Sequence, residues 1–378
     1  MTSKGTDVKT TVSDLTIDDT LCCSSVEYNA VERFLLSDPH IPMWKFIPPV
    51  IIVLGTFGNV MTIVMMRRMS EGQSSHTMSL YFTALAVSDL IILYSGLLRK
   101  WLYYLFNIFI PDMDISLCKL IPFLVYSSGT ISAWIIVAMT MQRVMSVVWP
   151  HYKSLSCTKK KVGLVITIIV AVPFALNSYI LSSFEVVTEL NSTERSCYMA
   201  NNQLYNFDFF IYPWIDLVVS SIIPFCILIV GNSVLVWKVI QSVHVARVMT
   251  AGGCDQVNSR QKKASSLTIT LITVSLVFLL LSLPACIYLI IIPYINTDTD
   301  ISLATVRFVW VVCNLAWYAN GAINFYLYCL TGSRFRNEVK SLFCGRSSLK
   351  MSVVTSLHTN KTGFSKFDSQ HNEEGGDF

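Results

Sequence analysis

The chain consists mainly of long apolar stretches separated by short polar ones. Seven of the stretches are long enough to cross a bilayer as helices, since about 20 apolar residues span its hydrocarbon core. They lie near Trp44–Met66, Met78–Leu98, Ile115–Val137, Val162–Leu181, Ile211–Val236, Leu267–Ile292 and Ala304–Leu330. This pattern predicts an all-α membrane protein, a seven-transmembrane helix bundle that occupies residues 44–331.

The two ends of the chain differ from this apolar middle. Residues 1–43 are polar and lack an apolar core with a small-residue cleavage site, so we expect an extracellular segment followed by a signal-anchor helix. In residues 332–344, apolar side chains recur at helical spacing opposite Arg336 and Lys340, which predicts a short amphipathic eighth helix on the membrane surface. Residues 345–378 are rich in Ser and Thr and predict a disordered cytoplasmic tail.

The charges of the connections predict the orientation of the bundle. Basic residues such as Arg67, Arg68 and Lys160 fall in alternate connections, whereas acidic residues dominate the N-terminal segment and the other connections. Because basic loops stay on the cytoplasmic side, we expect a multi-pass plasma-membrane protein with its N-terminus outside and its C-terminus inside. Asn191 then lies in an outer sequon, a candidate glycosylation site. Cys344 ends the amphipathic segment at a position suited to palmitoylation.

Composition agrees with a membrane protein and excludes other classes. Hydrophobic residues make up 53% of the chain and charged residues only 14%, whereas a soluble domain carries about 25% charged residues. The formal net charge of +4 is the sum of an acidic exterior and a basic interior. It therefore does not predict a nucleic-acid partner.

Cysteines predict one disulfide. Cys118 and Cys197 both fall on the outer, oxidising side, one at the start of the third span and one in the longest outer loop, so we expect them to pair. Cys22 and Cys23 lie on the same side. Their pattern leaves open whether they are free, joined to another molecule or bridged within the chain.

Two acids lie well inside the predicted spans, where a carboxylate is costly and needs a partner. Asp89 has polar candidates on other helices at Asn59, Ser132, Asn320 and Asn324. Their oxygens could surround an allosteric sodium ion, since hard cations prefer oxygen ligands. The alternative is a polar network that joins the helices without an ion.

The second acid, Asp216, belongs to a candidate ligand site. Arg99 stands about 15 Å along the helix from Asp89. It either reaches the outer interface or points inward toward a ligand, opposite Asp216. The other candidate ligand-binding residues at this depth are Tyr103, Tyr126, Asn314 and Tyr318. They suit a ligand that carries aromatic and amide groups.

A set of ordered motifs resembles the rhodopsin-like family of G-protein-coupled receptors. The motifs are Gly58-Asn59, Leu85 to Asp89, Cys118, Arg143 with Pro150, Cys197, Pro224, Pro284 and Asn324 to Tyr328. The segment from Asn324 to Arg336 is most similar to invertebrate neuropeptide receptors of the FMRFamide-like and thyrotropin-releasing-hormone-like groups. Three positions depart from the family pattern: Gln142 replaces the acid before the arginine, Ser282 a tryptophan, and Phe325 a proline.

The resemblance implies a receptor and not an enzyme. It implies that an extracellular neuropeptide binds and that Arg143 contacts a heterotrimeric G protein. It also implies arrestin and receptor kinase as partners of the tail, with membrane lipid around the bundle and no cofactor beyond the sodium ion. Two alternatives remain open. The first is a chemosensory or lipid-ligand receptor, because an apolar ligand would fit beside Val125, Gly129, Ala285 and Leu289. The second is a transporter, a class that commonly has internal repeats or broken helices.

Overall fold

The computed structural model describes residues 40–71, 76–149, 158–188, 195–249, 255–295 and 300–343. The predictions for Cys22, Cys23, Asn191 and Cys344 lie outside these residues and stay predictions.

Long helices account for nearly all of the described chain. They are α1, His40–Glu71; α2, formed by His76–Ile92, Leu93–Leu98 and Arg99–Phe106; α3, Ile115–Val148; α4, Lys159–Asn177, with a further turn at Ile180–Ser183; α5, running from Asn202 to Met249; α6, Asp255–Ile291; and α7, Asp300–Thr331. In the described part of the chain, α1 to α6 are long and apolar enough to cross a membrane. Helix α7 does not meet the same criterion among the described residues. Its mean hydropathy is lowered by four polar residues, Arg307, Asn314, Asn320 and Asn324.

Two of these helices contain π-helical segments. One interrupts α2 at Leu93–Leu98, and two interrupt α5 at Phe207–Ile211 and Leu217–Ile222. A π turn spans one more residue than an α turn and is frequent at functional sites. The residues that follow each segment therefore face a different direction from the one that continuous α-helical spacing predicts.

Helix α3 lies at the centre of the bundle. It packs against α2, α4, α5 and α6, whereas α7 packs against α1 and α6. Fully buried side chains such as Ile135, Ile136 and Met139 form its contact surface. Helix α3 therefore contacts most of the other helices of the bundle.

A short hairpin and a disulfide close one end of the bundle. Strands β1, Phe184–Thr188, and β2, Arg195–Met199, pair antiparallel, with Val186 opposite Cys197. The predicted bond between Cys118 and Cys197 is present, which attaches the hairpin to the start of α3. We call this the disulfide end, and the opposite end, where Arg143 lies, the arginine end.

Asp112 makes a second contact that holds the hairpin in place. It belongs to a single 3-10 turn, Ile110–Asp112, between α2 and α3. Its Oδ1 accepts a hydrogen bond of 2.7 Å from the backbone N–H of Cys197. Burial raises the pKa of Asp112, and the bond from Cys197 opposes that rise. The carboxylate and the disulfide therefore hold the same residue of β2.

The last described helix, α8, covers Ser333–Phe343. Within it, Val339 and Leu342 are half-buried whereas Arg336 and Lys340 are exposed. The helix is thus amphipathic, with basic residues on its polar side, as is typical of helices that lie at a membrane surface.

Candidate functional site

A cavity opens toward the disulfide end between α2, α3, α5, α6 and α7. It encloses about 950 Å³, including its open mouth. Its polar and charged lining residues are Arg99, Lys100, Tyr126, Thr130, Asp216, Ser220, Ser221, Ser282, Asn314 and Tyr318. Aromatic and apolar side chains fill the intervening wall, as in most small-molecule and peptide pockets. Five of the six ligand-binding residues predicted from the sequence line this one cavity.

Arg99 faces the cavity because of the π-helical segment that precedes it. Leu93–Leu98 ends directly before Arg99, which begins the outer part of α2. The Nε of Arg99 is buried and has no hydrogen-bond partner among the described residues. The sequence left two orientations open for Arg99, toward the outer interface or toward the interior. In the structure, Arg99 lines the interior cavity. A buried guanidinium with an unused donor is a ready contact for an anionic or carbonyl group.

Two glycines allow aromatic rings to lie against the helix backbones. A Cβ on Gly96 would stand 2.6 Å from the hydroxyl oxygen of Tyr318, and a Cβ on Gly129 would stand 2.9 Å from the ring of Trp317. Both distances are closer than side-chain atoms can approach. The glycines thus place α7 rings on α2 and α3, and these rings form the inner wall of the cavity.

Asp216 faces the cavity from α5. Its Oδ1 accepts a hydrogen bond of 2.7 Å from the Ser220 hydroxyl, which lies one turn further along the helix. The Ser220 hydroxyl also pairs with the Thr130 hydroxyl of α3 at 2.7 Å. These neighbours are neutral hydroxyls. A cationic group on a ligand would therefore be a strong additional partner for the carboxylate.

Lys100 is held between two indole rings. Its Nζ lies 4.7 Å from the ring centre of Trp44 in α1 and 5.3 Å from that of Trp310 in α7. Both distances are within the range of cation–π attraction, about 6 Å. The ring of Tyr104 stacks on Trp44 with a centroid separation of 5.5 Å. Sequence reasoning did not assign Lys100 this role, because the pairing joins three helices that are far apart in the chain.

A further acid lies near the start of α5, at the disulfide end of the bundle. Asp208 precedes the apolar span of this helix, which starts at Tyr212. Its Oδ1 accepts a hydrogen bond of 2.7 Å from the hydroxyl of Tyr179 in α4. Burial raises the pKa of Asp208 to about 6, and the bond from Tyr179 limits the rise. The hydrogen bond from Tyr179 thus favours the charged form of this carboxyl, whereas burial disfavours it.

Tyr103 is the exception among the predicted ligand residues. The lining of the cavity does not include it. Its ring instead meets Tyr104 and Phe109 edge to face, with centroids 5.2 and 5.6 Å apart. The prediction placed Tyr103 by its depth along the helix, and the π-helical segment changes which face of α2 each later residue occupies.

Asp89 connects three helices below the cavity. Its Oδ1 accepts a hydrogen bond of 3.0 Å from Ser132 of α3, and its Oδ2 accepts one of 2.8 Å from the side-chain amide of Asn324 in α7. Asn59 of α1 donates to the carbonyl of Gly321 at 2.9 Å. The Oδ1 of Asn324 is buried and has no partner among the described residues.

Asn320 has a different partner from the one predicted. Its amide donates to the hydroxyl of Ser282 in α6 at 3.3 Å. Asn320 therefore joins α7 to α6. The side-chain bonds described for Asp89 are those with Ser132 and Asn324. The sequence offered no means of separating the two asparagines, since Asn320 and Asn324 lie one helical turn apart and share one face of α7.

At the arginine end, Gln142 connects α3 to the start of α2. Its amide donates to the hydroxyl of Thr77 at 3.1 Å, and its side chain is buried. The adjacent Arg143 is half-buried. The neutral amide thus makes a contact between helices at the position where the family pattern has an acid.

Comparison with known proteins gives consistent matches. The family model for the 7 transmembrane receptor (rhodopsin family) matches residues 58–328. The chain is 25% identical to sex peptide receptor-related protein 2 of Caenorhabditis elegans over 255 residues, which cover 61% of this chain and 56% of that protein. It is 32% identical to growth hormone secretagogue receptor type 1 of Sus scrofa and of Homo sapiens over 127 residues, 33% of each chain.

These relatives are matched over about half of their length, or less. The family model, in contrast, covers the greater part of this chain, from α1 to α7. It confirms the multi-pass receptor fold that the sequence motifs predicted, in place of an enzyme or a transporter. The chain belongs to the rhodopsin family of seven-transmembrane receptors.

Proposed function

We propose that this receptor binds an extracellular peptide in the cavity at its disulfide end and activates a heterotrimeric G protein at its arginine end. The observation that carries the proposal is the presence of Arg99 and Asp216 in one open, aromatic-lined cavity. Opposite charges in one cavity suit a ligand that carries both positive and negative or hydrogen-bonding groups. A peptide supplies carbonyls, amides and charged ends together.

The energetics of burial favour such a ligand over a purely apolar one. A charged group removed from water costs several kcal/mol unless it is paired. An apolar ligand that closed the cavity would remove water from the charged groups of Arg99 and Asp216, which both line it, without replacing that water by a polar partner. A peptide carbonyl or carboxylate at Arg99, and a basic group at Asp216, would offset this cost.

The matched relatives support a peptide ligand. One is named as related to a sex peptide receptor, and another is named as a receptor for growth hormone secretagogues. Asp112 and Asp208, both near the disulfide end, would attract a basic peptide to this end of the receptor. Nucleic acid has no place in this proposal.

The proposed orientation puts the disulfide end outside the cell, in the plasma membrane. Disulfides form and persist in oxidising compartments. Basic residues at the other end, including Arg67, Arg68 and Lys161, then lie on the cytoplasmic side. Arrestin and a receptor kinase would act on the serines and threonines of the tail, and lipid would surround the apolar helix faces.

The two cavity charges give a direct test. A neuropeptide library would be screened on cells that express the receptor with a promiscuous G protein and a second-messenger readout. For an active peptide, we expect Arg99→Gln and Asp216→Asn each to raise the half-maximal concentration at least about tenfold, since lost charge-assisted bonds cost about 1.5–3 kcal/mol. The matched controls Arg67→Gln and Glu185→Gln change exposed charges outside the cavity and should leave the response unaltered.

Two results would contradict the peptide proposal. The first is an unchanged potency in both cavity variants. The second is a silent peptide library together with an active lipid library. That second result would support a lipid receptor, because Val125, Gly129, Ala285 and Leu289 also line the cavity.

We also propose a sodium site at Asp89. The carboxylate, the Ser132 hydroxyl and the partnerless Oδ1 of Asn324 are oxygens of the kind that alkali cations accept. A bound cation would supply positive charge that joins α2, α3 and α7. The proposed sodium site does not include Asn320, because the amide of Asn320 donates a hydrogen bond to Ser282.

This site predicts a salt-specific stability. The melting temperature of the purified receptor should be higher in sodium chloride than in choline chloride at equal ionic strength, since a ligand of the native state stabilises it. We expect a rise of about 2 °C or more, and Asp89→Asn should remove it. Equal melting temperatures in the two salts would leave Asp89 with a purely structural role.

A further inference from the structure

The cavity extends beneath the level of its charged residues. On α6 the residues that line the cavity run from Leu289 to Ser282 and Phe278, in the direction of the arginine end. The span from Leu289 to Phe278 corresponds to about 16 Å along a helix. Arg99 and Asp216 therefore line only the upper part of the cavity, and we call the part of the same cavity below them the lower compartment.

The lower compartment is uncharged. Its walls are the ring of Phe278 and the small or hydroxyl-bearing residues Gly129, Thr130, Ser221 and Ser282. The ring of Phe278 meets that of Phe225 edge to face, with centroids 5.9 Å apart. Phe225 thus supports the floor from α5. An aromatic floor with hydroxyl walls suits an uncharged ring, because aromatic rings pair edge to face and hydroxyls can meet a polar substituent.

Ser282 determines whether this compartment exists. It is the residue of α6 between the upper wall and Phe278, and its small side chain leaves Phe278 in contact with the cavity. Its hydroxyl also accepts the hydrogen bond from Asn320. A ligand group in the lower compartment would therefore touch the residue that joins α6 to α7.

We propose that Ser282, Phe278 and Gly129 form a deep subsite that receives an uncharged, ring-sized end group of the ligand. This rests on the proposed function, since the ligand enters from the disulfide end. The subsite sets specificity for the buried end of the ligand, whereas Arg99 and Asp216 select its charged groups.

Cysteine modification tests the subsite without a known ligand. Intact cells would express Ser282→Cys in a Cys286→Ala background, because Cys286 also lines the cavity. Two thiol reagents would be applied outside: neutral benzyl methanethiosulfonate and anionic sulfonatoethyl methanethiosulfonate. The modified fraction of residue 282 would be read by mass spectrometry of the purified receptor. We expect the benzyl reagent to react at least about tenfold faster, because an anion loses its hydration in an uncharged compartment.

Matched positions on the same helix provide the controls. Ser275→Cys lies deeper, where the native hydroxyl pairs with Thr140 of α3 at 3.4 Å, and should stay unmodified. Leu280→Cys is 72% exposed on the outer surface of the bundle and reports entry through lipid. Leu289→Trp narrows the upper cavity, so it should slow modification at 282 and leave modification at 280 unchanged.

The outcomes separate the subsite from the proposed function. Modification of native Cys286 with none at 282 would overturn the subsite and leave the ligand cavity in place. Equal rates for the two reagents at 282 would overturn its preference for an uncharged group. No modification at Cys286 or at 282 would count against the open cavity itself, and thus against both proposals.

Discussion

Arg143→Ala is expected to abolish G-protein activation while the receptor still reaches the cell surface and binds its peptide. Arg143 lies at the arginine end of α3, far from the cavity, and is half-buried beside Gln142. Because α3 packs against α2, α4, α5 and α6, movement of these helices on ligand binding would change what Arg143 can reach. A guanidinium is well suited to bind carbonyls at a helix end, since it presents five donors in a fixed plane.

The experiment compares two readouts for each variant. Nucleotide exchange on the G protein in membranes should fall at least about thirtyfold, since loss of a central interface arginine can cost about 2–4 kcal/mol. Surface expression should remain within about twofold, because the buried side chains of α3 that pack against the other helices, such as Ile135 and Met139, are unchanged in this variant. Arg68→Ala, an exposed arginine at the same end, serves as the matched control. Normal exchange with Arg143→Ala would remove this residue from the coupling mechanism.

Cys118→Ala is expected to remove most receptor from the cell surface. The disulfide joins residues 79 positions apart, and closing a loop of that length stabilises a fold by roughly 4 kcal/mol in the chain-entropy description. The value is an upper bound here, since helices in a membrane restrict the loop even when the bond is absent. The bond also attaches β2 to the start of α3, one helical turn before Pro122 of the cavity wall, so its loss would disturb that wall together with stability.

Surface receptor would be measured with an N-terminal epitope tag on intact cells and compared with total receptor. We expect at least about a tenfold fall for Cys118→Ala, for Cys197→Ala and for the double variant, since all three lose the same bond. Cys226→Ala removes a free, exposed cysteine and should have no effect. A double variant much less affected than either single one would show that an unpaired thiol, and not the missing bond, causes the loss.

The apolar pattern predicted the helices well, but not their ends. Helix α1 begins at His40, four residues before the predicted Trp44, and α3 continues to Val148, well beyond the predicted Val137. Hydropathy reports the hydrocarbon core alone, whereas helices continue through the polar margins, where backbone hydrogen bonds still form. The cost of buried charge singled out Asp89 and Asp216 in the sequence, and the structure places the first in a polar contact between helices and the second in the cavity wall.

The features that sequence reasoning missed depend on long-range geometry. The π-helical segment at Leu93–Leu98 changes the direction in which the side chains of Lys100 and Tyr103 point. No residue type marks the position of such a segment in the sequence. The hairpin was missed as well, although Phe184–Thr188 contains Val and Thr suited to strands. Five-residue strands give too short a pattern to be separated from a loop. Asn320 was given the wrong partner because its true one, Ser282, lies on another helix.

The amide of Gln142 has a consequence for how the resting receptor responds to acidity. A carboxylate at this position would gain or lose a proton with its surroundings, and its bond to Thr77 would change with it. An amide has no proton to exchange in the physiological range, so the 3.1 Å bond between α3 and α2 keeps the same donor and acceptor at every cellular pH. In a cell that acidifies during intense metabolism, this contact between the two helices would stay constant while carboxylate-based contacts weaken.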